Sequence, residues 1–273
     1  QKNLARKALK KKRGHPPQPP RQTGSGVPVD KLLGLAQKGL QLHQAGQLQE
    51  AETVYRQILD IKPDFAEAHN NLGIVLRELG RLDDAVASYE KALTFKPDYA
   101  EANYNLGNTL RELGQMDDAV ASYDKAIAIK PDYAEAHYIL GNALQDLGKL
   151  DEAVSSYHKA LTIKPDYADA LNNLGIVLKE RGHLDEAIAS YLKALAIEPD
   201  FAEAHSNLGN VHLELGHLDE AFASHQKALT INPDYAEAHN SLGATLEELG
   251  RYDQAIASYE KALTFKPDYA EAH

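Results

Sequence analysis

The chain of 273 residues contains no cysteine, no tryptophan and one methionine. The absence of cysteine excludes a disulfide framework and thiolate metal sites, and it is compatible with a reducing compartment. We therefore expect a cytoplasmic location. Aromatic residues make up only 7% of the chain, and no apolar run approaches the roughly 20 residues of a transmembrane helix. The sequence thus predicts neither a disulfide-stabilised domain nor a membrane span.

Catalytic and cofactor-binding motifs are also missing. No phosphate-binding loop, dinucleotide fingerprint, nucleophile elbow or His-Glu-x-x-His zinc motif occurs in the sequence. We therefore predict that the chain by itself is not an enzyme, holds no cofactor or metal, and takes no small-molecule substrate. A parent protein can still carry a transferase domain outside this chain.

What the sequence does contain is a unit of 34 residues that recurs seven times without insertion. In the second copy its most regular members are Gly73, Gly80, Ala85 and Pro97. A fixed period of this size is typical of a solenoid built from one supersecondary unit. The copies span 32–65, 66–99, 100–133, 134–167, 168–201, 202–235 and 236–269, and a partial eighth copy covers 270–273.

Each copy has the apolar spacing of two helices joined by a tight turn. In the second copy, one apolar stripe precedes Gly80 and another includes Tyr89 and Phe95, which we expect on the inner side of the second helix. Gly80 is predicted to end the first helix because glycine adopts a left-handed conformation without a steric penalty. Pro97 ends the second helix. Small residues such as Gly73 let the two helix axes approach to roughly 8 Å.

Acidic residues recur at the start of each predicted first helix. Asp64 is predicted as an N-cap, with Glu67 three residues later completing a capping box. The equivalent acids of the other copies are interpreted in the same way, in preference to an acidic stripe that attracts basic ligands.

The recurring residues resemble the tetratricopeptide repeat. The resemblance rests on Asn-Leu-Gly at Asn71–Gly73, the spacing of Ala85 and Tyr89, and the later Ala92 and Pro97. It covers all seven copies. It implies an all-α fold, namely an α-solenoid in the form of a right-handed superhelix, with seven helix-turn-helix repeats, the start of an eighth, and first helices along a concave groove. The first copy departs from the pattern, with Lys38 at the place of the core leucine and Ile58 at the place of an alanine.

The junctions between copies carry a narrower resemblance. Pro63–Ala68 reads Pro-Asp-Phe-Ala-Glu-Ala, and most copies continue with Asn-Leu-Gly. This pattern is similar to the superhelical repeats of O-linked N-acetylglucosamine transferases and their bacterial relatives. There the repeats precede a glycosyltransferase domain, and asparagines at this place hold substrate peptides. The resemblance implies a ladder of Asn71, Asn105, Asn173 and Asn207, which Gln37, Ile139 and Ser241 interrupt.

The predicted function is protein–protein interaction, in which an extended peptide segment binds in the concave groove. Asparagine can pair with both the N–H and the C=O of a main chain, and repeats roughly 10 Å apart match about three extended residues at ~3.3 Å each. This chain would then be the recognition arm of a larger glycosyltransferase-like protein, or a generic binding solenoid. The predicted peptide-binding residues are Asn71, Asn105, Asn173, Asn207, Asn108, Asn142, Asn210, Tyr104 and Tyr138.

Two alternatives concern the ends of the chain. In the first, the protein is a structural scaffold that self-assembles end to end, as a homo-oligomer or filament. In the second, residues 1–29 bind nucleic acid or an anionic membrane, because they hold eight Lys or Arg and no acid, whereas 30–273 hold 21 basic and 40 acidic residues. The simpler interpretation of 1–29 is a disordered, Pro-rich tail or linker before the 30–273 solenoid.

The sixth copy departs from the repeat through three histidines. His205, His212 and His225 occupy three places that normally build one core: His205 stands where the resembled family has a bulky residue, and His212 and His225 stand where the other copies have Leu and Tyr. We interpret them as neutral packing residues that make this repeat less stable than the others. A shared metal site is the less favoured alternative.

Overall fold

The computed structural model describes residues 29–267, which form fourteen helices and no strand. The helices are α1 (Val29–Gln44), α2 (Leu48–Ile61), α3 (Ala66–Glu78), α4 (Leu82–Phe95), α5 (Ala100–Glu112), α6 (Met116–Ile129), α7 (Ala134–Asp146), α8 (Leu150–Ile163), α9 (Ala168–Glu180), α10 (Leu184–Ile197), α11 (Ala202–Glu214), α12 (Leu218–Ile231), α13 (Ala236–Glu248) and α14 (Tyr252–Phe265). They form seven hairpins, so odd-numbered helices are the first helices of repeats one to seven and even-numbered helices are the second. The predicted all-α solenoid is confirmed.

The limits of the predicted domains are only partly covered. The tail, apart from Val29, and the partial copy 270–273 lie outside the described residues. Val29 already belongs to α1, so helix begins at the last residue of the predicted tail. Among the described helices, none has the length and apolar character needed to cross a bilayer.

Each hairpin turn is closed by glycine in the left-handed conformation. Gly80 has φ of 75°; its N–H donates to the carbonyl of Arg77 at 2.9 Å, and the N–H of Arg81 donates to the carbonyl of Leu76 at 2.9 Å. These two bonds satisfy carbonyls that the helix end would otherwise leave free. The turn glycine therefore fixes the angle at which the second helix starts, as the sequence predicts.

The two helices of a repeat meet where an aromatic ring lies on a helical glycine. A Cβ atom on Gly73 would lie 2.6 Å from Cε1 of Tyr89, whose side chain is fully buried. Only glycine leaves room for the ring, so this contact sets the close approach of the axes. In repeat six, His225 takes the tyrosine's place against Gly209.

The repeats stack so that the first helices form the inner surface. Each second helix contacts the first helix of the next repeat, and first helices of successive repeats also contact each other, as α3 does α5 and α9 does α11. Elements that approach across two repeats lie on the inner side of a curved array. The second helices consequently form the outer surface.

Two predictions about single residues are wrong. Asp64 is not an N-cap: Phe65 occupies the N-cap position of α3 without a side-chain cap bond, and Glu67 instead accepts a hydrogen bond from Nζ of Lys96 at 3.1 Å. Phe95 is not on the inner side of α4. It is 47% exposed on the outer surface, where its ring stacks on His69 with centroids 5.6 Å apart.

Candidate functional site

The four asparagines of the predicted ladder occupy one place on the first helices α3, α5, α9 and α11. Asn71, Asn105, Asn173 and Asn207 are all half-buried. Because the first helices form the inner surface, these side chains line it together. Whether they bind peptide stays a prediction.

A buried asparagine joins the two ladder residues of repeats two and three. Asn70 is only 4% exposed; its Oδ1 accepts from Nδ2 of Asn105 at 3.0 Å, and its own Nδ2 donates to Oδ1 of Asn71 at 3.3 Å. We call Asn70, Asn71 and Asn105 the first amide cluster. Its bonds fix the orientation of both ladder amides.

The same arrangement recurs three repeats later. Nδ2 of Asn207 donates to Oδ1 of the buried Asn172 at 3.0 Å, and Nδ2 of Asn172 donates to Oδ1 of Asn173 at 3.3 Å. Asn172, Asn173 and Asn207 form the second amide cluster. The sequence analysis missed Asn70 and Asn172, although their signal is visible: only the second and fifth copies carry an Asn-Asn pair directly before Leu-Gly.

Aromatic side chains occupy the inner surface between the clusters. Tyr104 and Tyr138 are half-buried and pack on the rings of Tyr133 and Tyr167, with centroid distances of 5.1 and 4.8 Å. The hydroxyl of Tyr138 also accepts from Nδ2 of Asn173 at 3.2 Å. The tyrosines are therefore held in place and connected to the second cluster.

The remaining predicted site residues divide into two groups. Asn108 and Asn142 each accept a hydrogen bond from a core tyrosine hydroxyl, Tyr123 at 2.9 Å and Tyr157 at 2.7 Å. The side-chain amide oxygens of Asn108 and Asn142 thus accept from buried tyrosine hydroxyls, while the rest of each side chain lines the groove. Asn210 forms no such bond within the described residues, since its repeat has a histidine instead of the tyrosine.

Contacts between basic and acidic side chains connect the rim of the inner surface from repeat to repeat. His43 lies 3.0 Å from Glu78, Arg77 3.2 Å from Glu112, and Lys179 3.8 Å from Glu214. At the corresponding place the last two repeats have Leu213 and Glu247. The basic partner is thus replaced there, and this end of the rim is more acidic.

The histidines of repeat six have separate environments. His225 is completely buried, and burial lowers its pKa to about 4. The Nε2–H of His205 donates to the carbonyl of Pro199 at 3.0 Å, whereas His212 neighbours His217 with centroids 5.8 Å apart. Between residues 29 and 267, no group of three His, Cys, Asp or Glu side chains is arranged to hold a metal ion.

Sequence profiles of tetratricopeptide repeats match most of the chain. One matches residues 39–77, 75–110, 107–148, 141–182 and 175–216, and a second matches 200–268. The chain belongs to the tetratricopeptide repeat family. Proteins of this family bind other proteins or peptides, which places the chain in the class of interaction proteins. No curated protein sequence matches it.

Solved structures of similar repeat proteins agree with this assignment. MamA is 32% identical, with 61% of this chain and 97% of MamA covered and a TM-score of 0.57. YrrB, described as a tetratricopeptide repeat protein with an unusual peptide-binding site, is 26% identical, with 68% and 96% covered and a TM-score of 0.56. A repeat protein from Parabacteroides merdae shares the fold, with 21% identity, 89% and 96% covered and a TM-score of 0.68.

Proposed function

We propose that the inner surface binds an extended segment of a partner protein and that the two amide clusters hold its main chain. The observation that carries the proposal is the bonding of Asn105 to Asn70 and of Asn207 to Asn172, each across a repeat boundary. An amide oriented before binding loses less conformational entropy when it engages a ligand.

The clusters retain the hydrogen-bonding capacity that a main chain needs. Each asparagine offers two N–H donors and an oxygen with two lone pairs. Asn105 and Asn207 donate one N–H to the buried asparagine of the preceding repeat, and their Oδ1 atoms accept no bond from the described residues. Each can therefore donate to a peptide carbonyl and accept from a peptide N–H.

The groove supports two short tracks in place of one continuous ladder. Ile139 interrupts the asparagine series between the clusters, and Tyr104 and Tyr138 lie beside it. Each track spans two repeats and suits about six extended residues. The tyrosines between them favour an aromatic or apolar ligand side chain, which gives selectivity that main-chain bonds cannot give.

The peptide-binding site described for YrrB supports this type of function. The narrower proposal is that the chain is the substrate-recognition arm of a glycosyltransferase-like protein, and its support is the Pro-Asp-aromatic-Ala pattern, as in Pro63–Ala68. The gene sequence flanking the chain tests it, because a domain unrelated to glycosyl transfer would contradict it. In that proposal the chain itself does no chemistry.

The test of the groove removes its four ladder amides, which also takes away the hydrogen-bond partners of the buried Asn70 and Asn172. Peptides of about 12 unstructured residues, selected from a displayed library, are measured by fluorescence anisotropy against the chain with Asn71→Ala, Asn105→Ala, Asn173→Ala and Asn207→Ala. Each lost hydrogen bond costs about 1 kcal/mol, so the quadruple variant weakens binding by several kcal/mol. Its helix content and the cooperativity of its unfolding are expected to be kept, whereas its free energy of unfolding falls because the buried Asn70 and Asn172 lose their partners.

The matched control removes four amides from the outer surface. Gln49, Gln57, Gln226 and Gln254 are exposed on second helices. Replacing these glutamines by Ala is expected to leave peptide affinity unchanged. The groove proposal is wrong if both variants weaken binding equally, or if the asparagine variant loses cooperative unfolding.

The alternative of an end-to-end scaffold is supported at one end of the array only. Tyr252 and Ile256 of α14 are 64% and 56% exposed, at places that the next repeat half-buries elsewhere. The opposite face is polar: α1 has Gly34, Lys38 and Gln41, all exposed. At these places later first helices have, in order, buried Ala, buried Leu, and a buried Val, Thr or Ala. The two faces do not match, so a head-to-tail filament is disfavoured.

A further inference from the structure

An aromatic ring closes each repeat, and in the first four repeats a lysine ammonium lies over it. The distances from Nζ to the ring centroid are 4.9, 4.2, 4.4 and 4.4 Å in the pairs Lys62–Phe65, Lys96–Tyr99, Lys130–Tyr133 and Lys164–Tyr167. These are the distances of cation–π contacts. Nζ of Lys96 also donates to Oε1 of Glu67 at 3.1 Å. The ring and the carboxylate together therefore form a binding place for a cation, which the chain's own lysine occupies.

Repeat five has the ring without the lysine. Glu198 stands at the lysine's place, and among the described residues no cation lies over the ring of Phe201. The turn itself is unchanged, because the N–H of Phe201 donates to the carbonyl of Glu198 at 3.2 Å, as that of Tyr133 does to the carbonyl of Lys130 at 3.2 Å. The ring of Phe201 is half-buried, like the rings that lysine covers. Repeat five thus keeps the geometry of the place and changes only the charge.

Two further carboxylates flank the ring of repeat five. Their position follows from repeat three, where burial raises the pKa of Tyr133 to about 12 and the charges of Glu101 and Glu135 add to the rise. These two acids start the first helices of the same repeat and of the next one. Asp169 and Glu203 hold the corresponding places around repeat five. The ring therefore lies between two acids, with a third acid in the lysine's place.

The run of acids is confined to this part of the array. In repeats two to four these acids alternate with the lysines, whereas Asp169, Glu198 and Glu203 follow one another without a base. All three are exposed, and none forms an ion pair with another described residue. Asn232 replaces the lysine of repeat six as well, so the next base at this place is Lys266. Three carboxylates without a cation partner thus surround a ring without a cation.

This ring adjoins the second amide cluster. In repeat four, Tyr138 of the first helix packs on the ring of Tyr167 with centroids 4.8 Å apart, and Asn172 holds the place of Tyr138 in repeat five. A main chain bound to the second amide cluster therefore passes beside Phe201. The first amide cluster also lies beside such a ring, but Lys96 covers that one. The two clusters consequently share their amides and differ in the charge next to them.

We propose that Phe201, Asp169, Glu198 and Glu203 bind a lysine or arginine side chain of the peptide that the second amide cluster holds. This rests on the peptide-binding function proposed above. The ligand's cation takes the position that the chain's own lysine has in the first four repeats. Arginine binds more tightly than lysine, because its planar guanidinium both stacks on a ring and pairs with a carboxylate. The first amide cluster has no such preference, since Lys96 repels a basic residue.

The test restores the residue that the repeat normally has at this place. Glu198→Lys introduces the lysine of five other copies, so the fold is expected to accept it. Glu152→Lys is the matched control: this residue of α8 is exposed, has no ion pair with a described residue, and undergoes the same change of charge. The probes are unstructured peptides of about 12 residues, selected from a displayed library on the unmodified chain. Each peptide with Lys or Arg is also synthesised with Gln in its place.

Fluorescence anisotropy then measures the affinity of each peptide pair for the three chains. We expect the selected peptides to be enriched in Lys and Arg and to bind the Glu198→Lys chain about tenfold more weakly than the unmodified chain. The Gln peptides should bind both of these chains alike. Glu152→Lys should leave the affinity of both peptides unchanged, which excludes an effect of net charge alone.

Two results would overturn this proposal and leave the peptide-binding function standing. One is that Glu198→Lys weakens binding no more than Glu152→Lys does. The other is that the Gln peptides lose as much affinity on Glu198→Lys as the basic peptides. The peptide-binding function fails separately, if Asn173→Ala combined with Asn207→Ala leaves the affinity of the same peptides unchanged. A library that yields no bound peptide would contradict both.

Discussion

Acid should lower the stability of repeat six more than that of the other repeats, through His225. This side chain is fully buried, and neither ring nitrogen has a hydrogen-bond partner in the described part of the chain. Burial lowers its pKa from 6.5 to about 4. The neutral ring fits against Gly209, whereas a charged ring would be desolvated without compensation. His212, whose pKa is lowered by burial and by His217, adds to the effect.

The magnitude follows from proton linkage. The folded pKa lies below the unfolded one, so the stabilisation is complete above pH 6.5 and is lost as the pH falls toward about 4. At 1.36 kcal/mol per pH unit, the loss for His225 is about 1 kcal/mol at pH 5.5 and about 3 kcal/mol below pH 4. In a linear array such a loss acts on one repeat and its neighbours.

The assay is amide hydrogen exchange at pH 7.5 and 5.5, corrected for the intrinsic exchange rate. Protection should fall between Phe201 and Tyr235 more than elsewhere. His225→Tyr should remove the larger part of this difference, because tyrosine is neutral at both pH values, and its hydroxyl there can donate to Asn210 as Tyr123 does to Asn108. Tyr191→His should transfer the acid sensitivity to repeat five. Equal acid sensitivity of the parent chain and His225→Tyr would refute the reasoning.

Two further predictions concern the glycines and the C-terminal face. Gly141→Ala should lower the free energy of unfolding by about 1–3 kcal/mol, since its Cβ would lie 2.6 Å from the ring of Tyr157 in a packed core. Gly148→Ala should lower it by about 1–2 kcal/mol from its φ of 71° alone. Urea unfolding measures both, and an unchanged stability of Gly141→Ala would contradict the contact between the ring and the glycine. Sedimentation at rising protein concentration should show dimers at most. Ile256→Lys should remove these dimers, whereas Leu33→Lys should not. Filaments would contradict the conclusion that the two end faces of the array do not fit each other.

The fold was predictable because the turn glycines, the prolines and the apolar spacing all recur with the same period of 34 residues. Gly80 and Pro97 bound the helices by backbone chemistry alone, and both act as expected. Phe95 was placed wrongly because the spacing of apolar residues does not distinguish an inner residue from one on the outer surface that stacks on His69 of the same repeat. Asp64 was placed wrongly because the helix begins one residue later than expected, at Ala66, so that Phe65 with its extended backbone is the N-cap.

The candidate site was predictable as a row of residues but not as a network. Asn71 and Asn105 share a place in the repeat, so their common face follows from the period. The bridge through Asn70 depends on the distance between two first helices, which the sequence does not give. The hydrogen bonds from histidine to proline on the outer surface, such as His205 to Pro199, were missed for a different reason, because they depend on the local course of the chain at the junction of two repeats.

Departures from the period carry different consequences in the core and on the surface, and consensus restoration separates them. His225 is a core departure: it exchanges a tyrosine for a smaller titratable ring, so restoring tyrosine should raise stability, most of all in acid, and leave peptide binding unchanged. Ile139 is a departure on the inner surface, where it stands in place of a ladder asparagine, and Ile139→Asn should change peptide binding and leave cooperative unfolding intact. If instead the Ile139→Asn variant gained stability with no peptide affinity changed, this residue would be packing variation, and the interruption of the ladder would have no binding role. Measuring both variants by the same two assays therefore decides which exceptions to the repeat serve recognition.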